Sequence, residues 1–338
     1  MKIAETLLLD QDRHPDWVLD MVSNSDETSL AVTSGSKMLS FHDAGTLKQV
    51  SSVCGAHSSR INCIESSRSN PHLVMTCSED KLVKYWDARS SHASGSVLQF
   101  RFADEVQSAS MGTKDSLLAA ATKNSLKFAD TRKTHEARGS SCADGKMLTE
   151  VFGEYGDVHM DDITVVRFHP ERTNEVFTAS EDGLIACYDT SVSEHSSAVL
   201  SIINTDCPVR TFGFYGPNRE GLFSLSTVET ASFWHIYSAL RLSVIPRVRE
   251  THAVHYLVDC FAVGDDLQLL AGTNSGEGTL LSVTPAQMKI ERAVRGGHTE
   301  VIRAASYLSR SGRLITGGED AKICQFEHCV QHTSTNGT

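Results

Sequence analysis

The chain has 338 residues, 40% of them hydrophobic and 22% charged, with 31 basic against 42 acidic side chains and a formal net charge of −11. This is a globular composition that excludes a disordered or collagen-like chain, and its acidity argues against nucleic acid and anionic membranes and in favour of basic partners. No run approaches the ~20 apolar residues of a membrane helix, and the nine cysteines, an odd number without a Cys-x-x-Cys spacing, read as reduced and buried thiols of a cytoplasmic or nuclear protein.

In chain order, KIAETLLLD (Lys2 to Asp10) is an apolar run interrupted by acids, without a small-residue cleavage site, and reads as a strand rather than a secretory leader. DWVLDMVS, SLAVTSGS and KMLSFHD follow as three strands, with His14 ahead of them and Phe41-His42-Asp43 at their end. His57 opens a second unit that closes on TCSEDKLVKYWD, residues 76–87. EVQSASMG, SLLAAATKN and SLKFAD form a third, ending on Asp130 and carrying Lys123 in its turn. Thr131 to Lys146, TRKTHEARGSSCADGK, is polar and longer than a hairpin requires, so it reads as an exposed loop or a partner-binding one. His159 precedes a fourth unit ending in TASEDGLIACYD, residues 178–189. CPVRTFGFYG, GLFSLSTVET and ASFWH make a fifth with Trp234 but no turn aspartate. YLVDCFAVG, LQLLAGTNSG and GTLLSV make a weaker sixth, preceded by His252 and His255, the latter a weak copy of the unit-opening histidine. His298 opens the seventh, which ends in TGGEDAKICQFE, residues 316–327; the tail QHTSTNGT, 331–338, should be disordered.

The three strong units share their spacing. Thr76, Thr178 and Thr316 each precede Asp80, Asp182 and Asp320 by four positions, and Trp86, Tyr188 and Phe326 follow those aspartates by six. His57, His159 and His298 lie 23, 23 and 22 residues upstream of the same aspartates, each four residues before an isoleucine that opens a β-like run. An active site occurs once, whereas this arrangement occurs three times, so its acids and histidines are scaffolding.

These residues resemble the WD-repeat family, with a histidine near the start of each ~40–45-residue unit and Trp-Asp near its end. The resemblance implies an all-β fold, a seven-bladed β-propeller of four-stranded antiparallel blades. It also implies structural tetrads, here His57, Thr76, Asp80 and Trp86, then His159, Thr178 and Asp182, then His298, Thr316 and Asp320. Tyr188 and Phe326 replace the tryptophan in the second and third, which puts the last link of those networks in question. The N-terminal run has an evident place as the outer strand of the last blade, closing the ring without a weak seam. A single domain over residues 1–330 follows.

Chemistry-bearing motifs are missing. The sequence holds no Gly-x-x-x-x-Gly-Lys loop, no Gly-x-Gly-x-x-Gly after a strand and no Gly-x-Ser-x-Gly elbow. Cys324, His328, Cys329 and His332 are close in sequence, but strand alternation sends the two cysteines to opposite faces and zinc spacing is not met. The expectation is no enzyme, cofactor, metal or catalytic residue, but a monomeric scaffold within a larger complex. By family geometry, the loops before each inner strand and the turns between second and third strands share one face. That face would carry Asp16, Trp17, Arg60, Asp104, Glu105, Asp161, Asp162, Asp206, Tyr256 and Glu300, with Glu79, Glu181, Glu229 and Glu319 from the turns. Such a face suits a Lys/Arg-rich segment of another protein, although acids also simply suit hydrated turns. Separately, Trp86-Asp87-Ala88-Arg89 resembles the motif by which WD-repeat substrate receptors of cullin-4 ubiquitin ligases grip the ligase adaptor, with a partial echo at Asp130-Thr131-Arg132. Arg241, Arg247 and Arg249 read as a solvated, aggregation-resistant edge.

Overall fold

A computed structural model describes residues 2–10, 12–90, 95–112, 114–132, 146–148, 151–245, 248–263, 266–284 and 287–327. Residues 133–145, most of the predicted loop, lie outside the described residues, as do Arg247, His328, Cys329, His332 and the 331–338 tail.

The chain forms seven antiparallel sheets arranged as a seven-bladed β-propeller, with the inner strands Val18–Ser23, Ile61–Ser66, Ser108–Met111, Ile163–Phe168, Val209–Tyr215, Tyr256–Val263 and Ile302–Leu308 around a central channel. Two strand types have distinct sequence textures, for a physical reason. The second strands SLAVTS, LVMTCS, LLAAAT, EVFTAS, GLFSLS and RLITGG are buried along nearly their whole length. Both faces of such a strand pack against neighbouring blades, so it reads as a continuous run of apolar and small residues rather than an alternating one. The inner strands VLDMVS and INCIES bury only every third residue, because their remaining positions meet the channel or the adjoining inner strand.

Seven apolar clusters each fill one seam between blades. At the seam of the last and first blades, Leu8, Val18, Leu30, Ile315 and Ile323 are fully buried together. A Cβ on Gly317 would lie 2.3 Å from Val18 Cγ1 and 2.5 Å from Met21 Cε, so only glycine lets these two blades close. The N-terminal strand Lys2–Leu7 pairs antiparallel with Lys322–Glu327 and completes the last blade, making the ring one closed unit held from both chain ends.

One addition was not expected. Lys146–Leu148, where the predicted loop ends, runs parallel to Leu98–Arg101 and adds a fifth strand to the second blade. The chain then returns to give the third blade its short outer strand, Gly153–Tyr155. The insertion is therefore anchored at its end to the rim of a neighbouring blade. No helix among the described residues is long and apolar enough to cross a membrane.

Candidate functional site

The three histidine networks form as hydrogen-bonded chains. Trp86 Nε1–H donates to Thr76 Oγ1 at 2.9 Å, Thr76 Oγ1 lies 2.7 Å from His57 Nε2, and His57 Nδ1 lies 3.0 Å from Asp80 Oδ2. Because the indole is only a donor, the threonine proton is free to turn to Nε2, and the imidazole proton then sits on Nδ1 facing the carboxylate. Each ring nitrogen of His57, the Thr76 hydroxyl and the Trp86 N–H is satisfied in this network with a neutral histidine. Burial holds His57 and His159 below the usual imidazole range despite the opposing pull of Asp80 and Asp182. Burial also opposes ionisation of Asp80, but the His57 hydrogen bond and charge and the Ser58 and Leu82 amides outweigh it, bringing the carboxyl down to about 2.

The other two networks differ at the aromatic end. His159 bridges Thr178 at 2.7 Å and Asp182 at 3.1 Å, with the buried Tyr188 ring standing where the first network has its tryptophan. His298 bridges Thr316 at 2.8 Å and Asp320 at 2.9 Å, but Phe326 brings no polar atom and that network stops at the threonine. In the fifth blade Trp234 Nε1–H donates to Ser224 Oγ at 3.1 Å, a remnant of the chain without its histidine and aspartate.

His14 does not occupy a histidine position of this kind. It is exposed, and its amide donates to Asp10 Oδ1 in a local turn. The first blade instead inverts the polarity: Asp16, in the loop before the inner strand, accepts from the amide and hydroxyl of Ser36 in the turn. His255 keeps a trace of the role, its Nδ1 accepting from the Asn274 amide at 3.0 Å.

The loops before the inner strands and the turns after the second strands meet on one rim. Backbone bonds run from Gly35 to Trp17, Glu79 to Arg60, Glu181 to Asp162, Thr227 to Pro208 and Glu319 to Val301. Each of these bonds ties a loop to the turn of its own blade, and not all of the predicted face residues beside them are available. Asp16 is 8% exposed and committed to Ser36. Tyr256 is half-buried, its hydroxyl accepting from the Ile302 amide at 2.7 Å across a blade seam, so it is a seam residue rather than an anchor. Arg303 pairs with Glu319, Arg249 with Glu229, Arg241 with Asp206 and Lys123 with Asp104.

One sector remains open. Glu105, Asp161, Asp162 and Glu181 are exposed beside Met160, which is 84% exposed, and no ion pair holds these acids among the described residues. Lys123 is the cation in their midst, its ammonium favoured first by the Asp104 hydrogen bond and then by the charges of Asp104, Asp162 and Glu105. Glu79 on the second blade and Glu300 on the seventh add further acids to the rim, Arg60 opposes them, and Trp17 stands 52% exposed on the same rim.

The opposite ends of the third strands carry a matched pair. Arg89 Nε and Nη2 donate to Asp87, and Arg132 Nε and Nη2 donate to Asp130, the same bidentate geometry on adjacent blades. Trp86 is 2% exposed and contributes to the core rather than to this surface.

Sequence reasoning placed no candidate residue in the wall of the central channel, a cavity of about 750 Å³. Its wall carries Asp20, Glu65 and Asp259 with Arg68, Arg167 and Arg210. A signal was present: each of Asp20, Glu65, Arg167, Arg210 and Asp259 sits inside an otherwise apolar inner-strand run, where only the channel could accept a charge. Burial raises all three carboxyls, and Asp20 reaches about 7 with a further contribution from Asp259 against the Met21 amide. The folded protein therefore keeps a proton on Asp20 that the unfolded chain releases at its ordinary 3.8, so stability falls as pH rises through that window up to about 7. Asp20→Asn should raise the melting temperature at pH 8, with a gain that disappears toward pH 4. Melting curves across that range check this, and a pH-independent difference would contradict it.

Residues 48–87, the second unit, match the model of the family described as WD domain, G-beta repeat. The chain is 27% identical to WD repeat-containing protein GTS1 of Arabidopsis thaliana over 95% of this chain and 83% of that one. It is 25% identical to a WD repeat-containing protein 89 homolog of Dictyostelium discoideum over 87% of this chain and 78% of that one. An uncharacterized WD repeat-containing protein of Schizosaccharomyces pombe is 23% identical over 92% of this chain and 95% of its own length. With these likenesses, the histidine networks and the seven blades, the chain is a seven-bladed β-propeller that carries a WD repeat and is similar along most of its length to WD repeat-containing proteins, a group that generally serves as protein-interaction scaffolds.

Proposed function

We propose that this propeller is a non-enzymatic scaffold that captures a Lys/Arg-rich segment of another protein on the acidic sector around Asp161 and Asp162. The observation that carries the reading is the contrast along the rim. The rim acids Asp206, Glu229 and Glu319 are each paired with an arginine, whereas Glu105, Asp161, Asp162 and Glu181 stand exposed around one lysine. Unpaired like charges repel one another and are relieved by an incoming cation, which favours the encounter and selects against acidic competitors. The reduced cysteines fit a cytoplasmic or nuclear location, and a closed ring fits a single copy in its complex.

The test is quantitative mass spectrometry of proteins recovered with the tagged chain from its own cells, wild type beside Asp161→Lys/Asp162→Lys. One basic-segment partner should drop by roughly tenfold or more, since like charges juxtaposed across an interface cost several kcal/mol. An unchanged set of partners on a variant that melts like wild type would sink the proposal.

A second reading rests on the twin arginine–aspartate pairs. Arg89 and Arg132 are exposed yet held in fixed orientation by Asp87 and Asp130, the arrangement a cullin-4 ligase adaptor would grip. Its test is separate. Arg89→Ala should abolish co-purification of that adaptor while leaving the acidic-face partner bound, and an adaptor that is never recovered with wild type removes this reading.

A further inference from the structure

Two cysteines of the second blade are placed for a reaction with each other. Cys63, on the inner strand Ile61–Ser66, is the direct cross-strand neighbour of Cys77 on Leu73–Ser78. Their sulfurs are 2.9 Å apart, closer than the ~3.5–4.0 Å of ordinary non-bonded carbon contacts. Both thiols lean toward the third blade, Cys63 Sγ lying 3.6 Å from the Ala109 carbonyl oxygen and Cys77 Sγ 3.7 Å from that of Val106. No other described cysteines are in sulfur–sulfur contact; Cys54, Cys187, Cys207, Cys260 and Cys324 are each free and apart. Directly opposed strand residues have Cβ atoms roughly 4.5–5.5 Å apart and a disulfide wants roughly 3.5–4.5 Å, so closure asks for a small inward movement and no change of register.

Access is asymmetric. Cys63 is half-buried and lines the central channel, through which a small oxidant reaches it, whereas Cys77 is 0% exposed within the core of the second and third blades. Burial raises the Cys77 thiol well above its usual range and keeps it protonated. The nucleophile is therefore Cys63, with Cys77 as the resolving group.

We propose that Cys63 and Cys77 are a peroxide-responsive thiol pair that closes reversibly to a disulfide inside one blade. The Cys63 thiolate attacks one oxygen of hydrogen peroxide; the S–O bond forms, the O–O bond breaks, and the departing hydroxide takes up a proton to become water. The Cys77 sulfur then attacks Cys63 Sγ. The S–S bond forms, the S–O bond breaks, and the leaving hydroxide departs as a second water with the Cys77 proton. Two thiols lose two electrons in total and one peroxide is reduced to two waters; a dithiol such as dithiothreitol reverses the step by exchange. The cross-link pins the inner strand of the second blade to its neighbour at the channel wall, below Arg60 on the rim.

The experiment uses the full chain, reduced and then exposed to hydrogen peroxide until exposed Cys54 is half modified, so that the dose is calibrated within the same molecule. Free thiols are blocked, and digested peptides are read by mass spectrometry. The Cys63–Cys77 linked peptide should appear in most native molecules, at about tenfold or more over the same treatment in urea, because only the folded chain holds the sulfurs together. It should vanish in Cys63→Ser and revert with dithiothreitol; Cys77→Ala serves as the alternative should Cys63→Ser not fold. Cys63 left free at that dose, Cys63 carried on to sulfinic acid without linkage, or linkage equal in urea would each overturn the proposal.

Discussion

Removal of residues 2–10 is expected to lower the melting temperature by at least about 10 °C, or to drive the protein into aggregates. The strand Lys2–Leu7 contributes the ladder with Lys322–Glu327, and Leu8 beyond it is fully buried between the last and first blades with its amide donating to the Ala321 carbonyl. Losing about five net hydrogen bonds and one fully buried leucine costs on the order of 5 kcal/mol, and in a domain of this size each kcal/mol moves the transition by about 2 °C. The larger consequence is topological. Without its outer strand, the last blade exposes an unpaired edge, which is a template for pairing with another chain. Thermal melting together with size-exclusion chromatography checks both outcomes. A truncated protein that stays monomeric and melts within a degree or two of the intact one would show that the ring does not depend on its closing strand.

Asp80→Ala carries the second largest expected effect, a loss of roughly 1–3 kcal/mol. The Asp80 carboxylate accepts from His57 and from the amides of Ser58 and Leu82, so its removal strands a buried imidazole N–H and unfastens the turn from the loop before the inner strand. The effect has a defined pH dependence. A carboxyl brought down to about 2 from its ordinary 3.8 contributes stability that is full above that ordinary value and lost as pH falls through about 2. The gap between wild type and Asp80→Ala should therefore narrow on acidification, and urea titrations at pH 7 and pH 3 measure it. Equal midpoints at pH 7 would mean that the network is decorative. The same substitution at Asp320 tests whether a network that ends at Phe326 is as strongly coupled, since there the threonine has no indole donor behind it.

How much of this was legible without coordinates depended on the kind of interaction. The histidine networks could be read because a buried polar chain tolerates few residue types and demands fixed spacings, so His57, Thr76 and Asp80 recur in register with their counterparts in two other blades. The turns were harder. Lys37, Lys81, Gly183, Glu229 and Ala321 each take a left-handed φ between +61° and +80° three residues past a second strand, and only one of the five is a glycine. The usual marker of such a turn is absent because the surrounding hydrogen bonds hold the conformation in its place. The exchange of roles between Asp16 and Ser36 in the first blade was likewise hidden, since it satisfies the same two loops with the donor and acceptor swapped.

By itself the sequence determined the repeat, the number of blades and the strand that closes the ring, because burial pattern and local spacing are properties of one segment at a time. Only the tertiary structure decided which acids of the rim are free, which charges face the channel, and that Cys63 meets Cys77. Ion pairing and sulfur contact depend on register between strands and on the positions of whole blades around the ring. Residues such as Arg303 and Glu319, 16 apart along the chain, become neighbours only once that register is set.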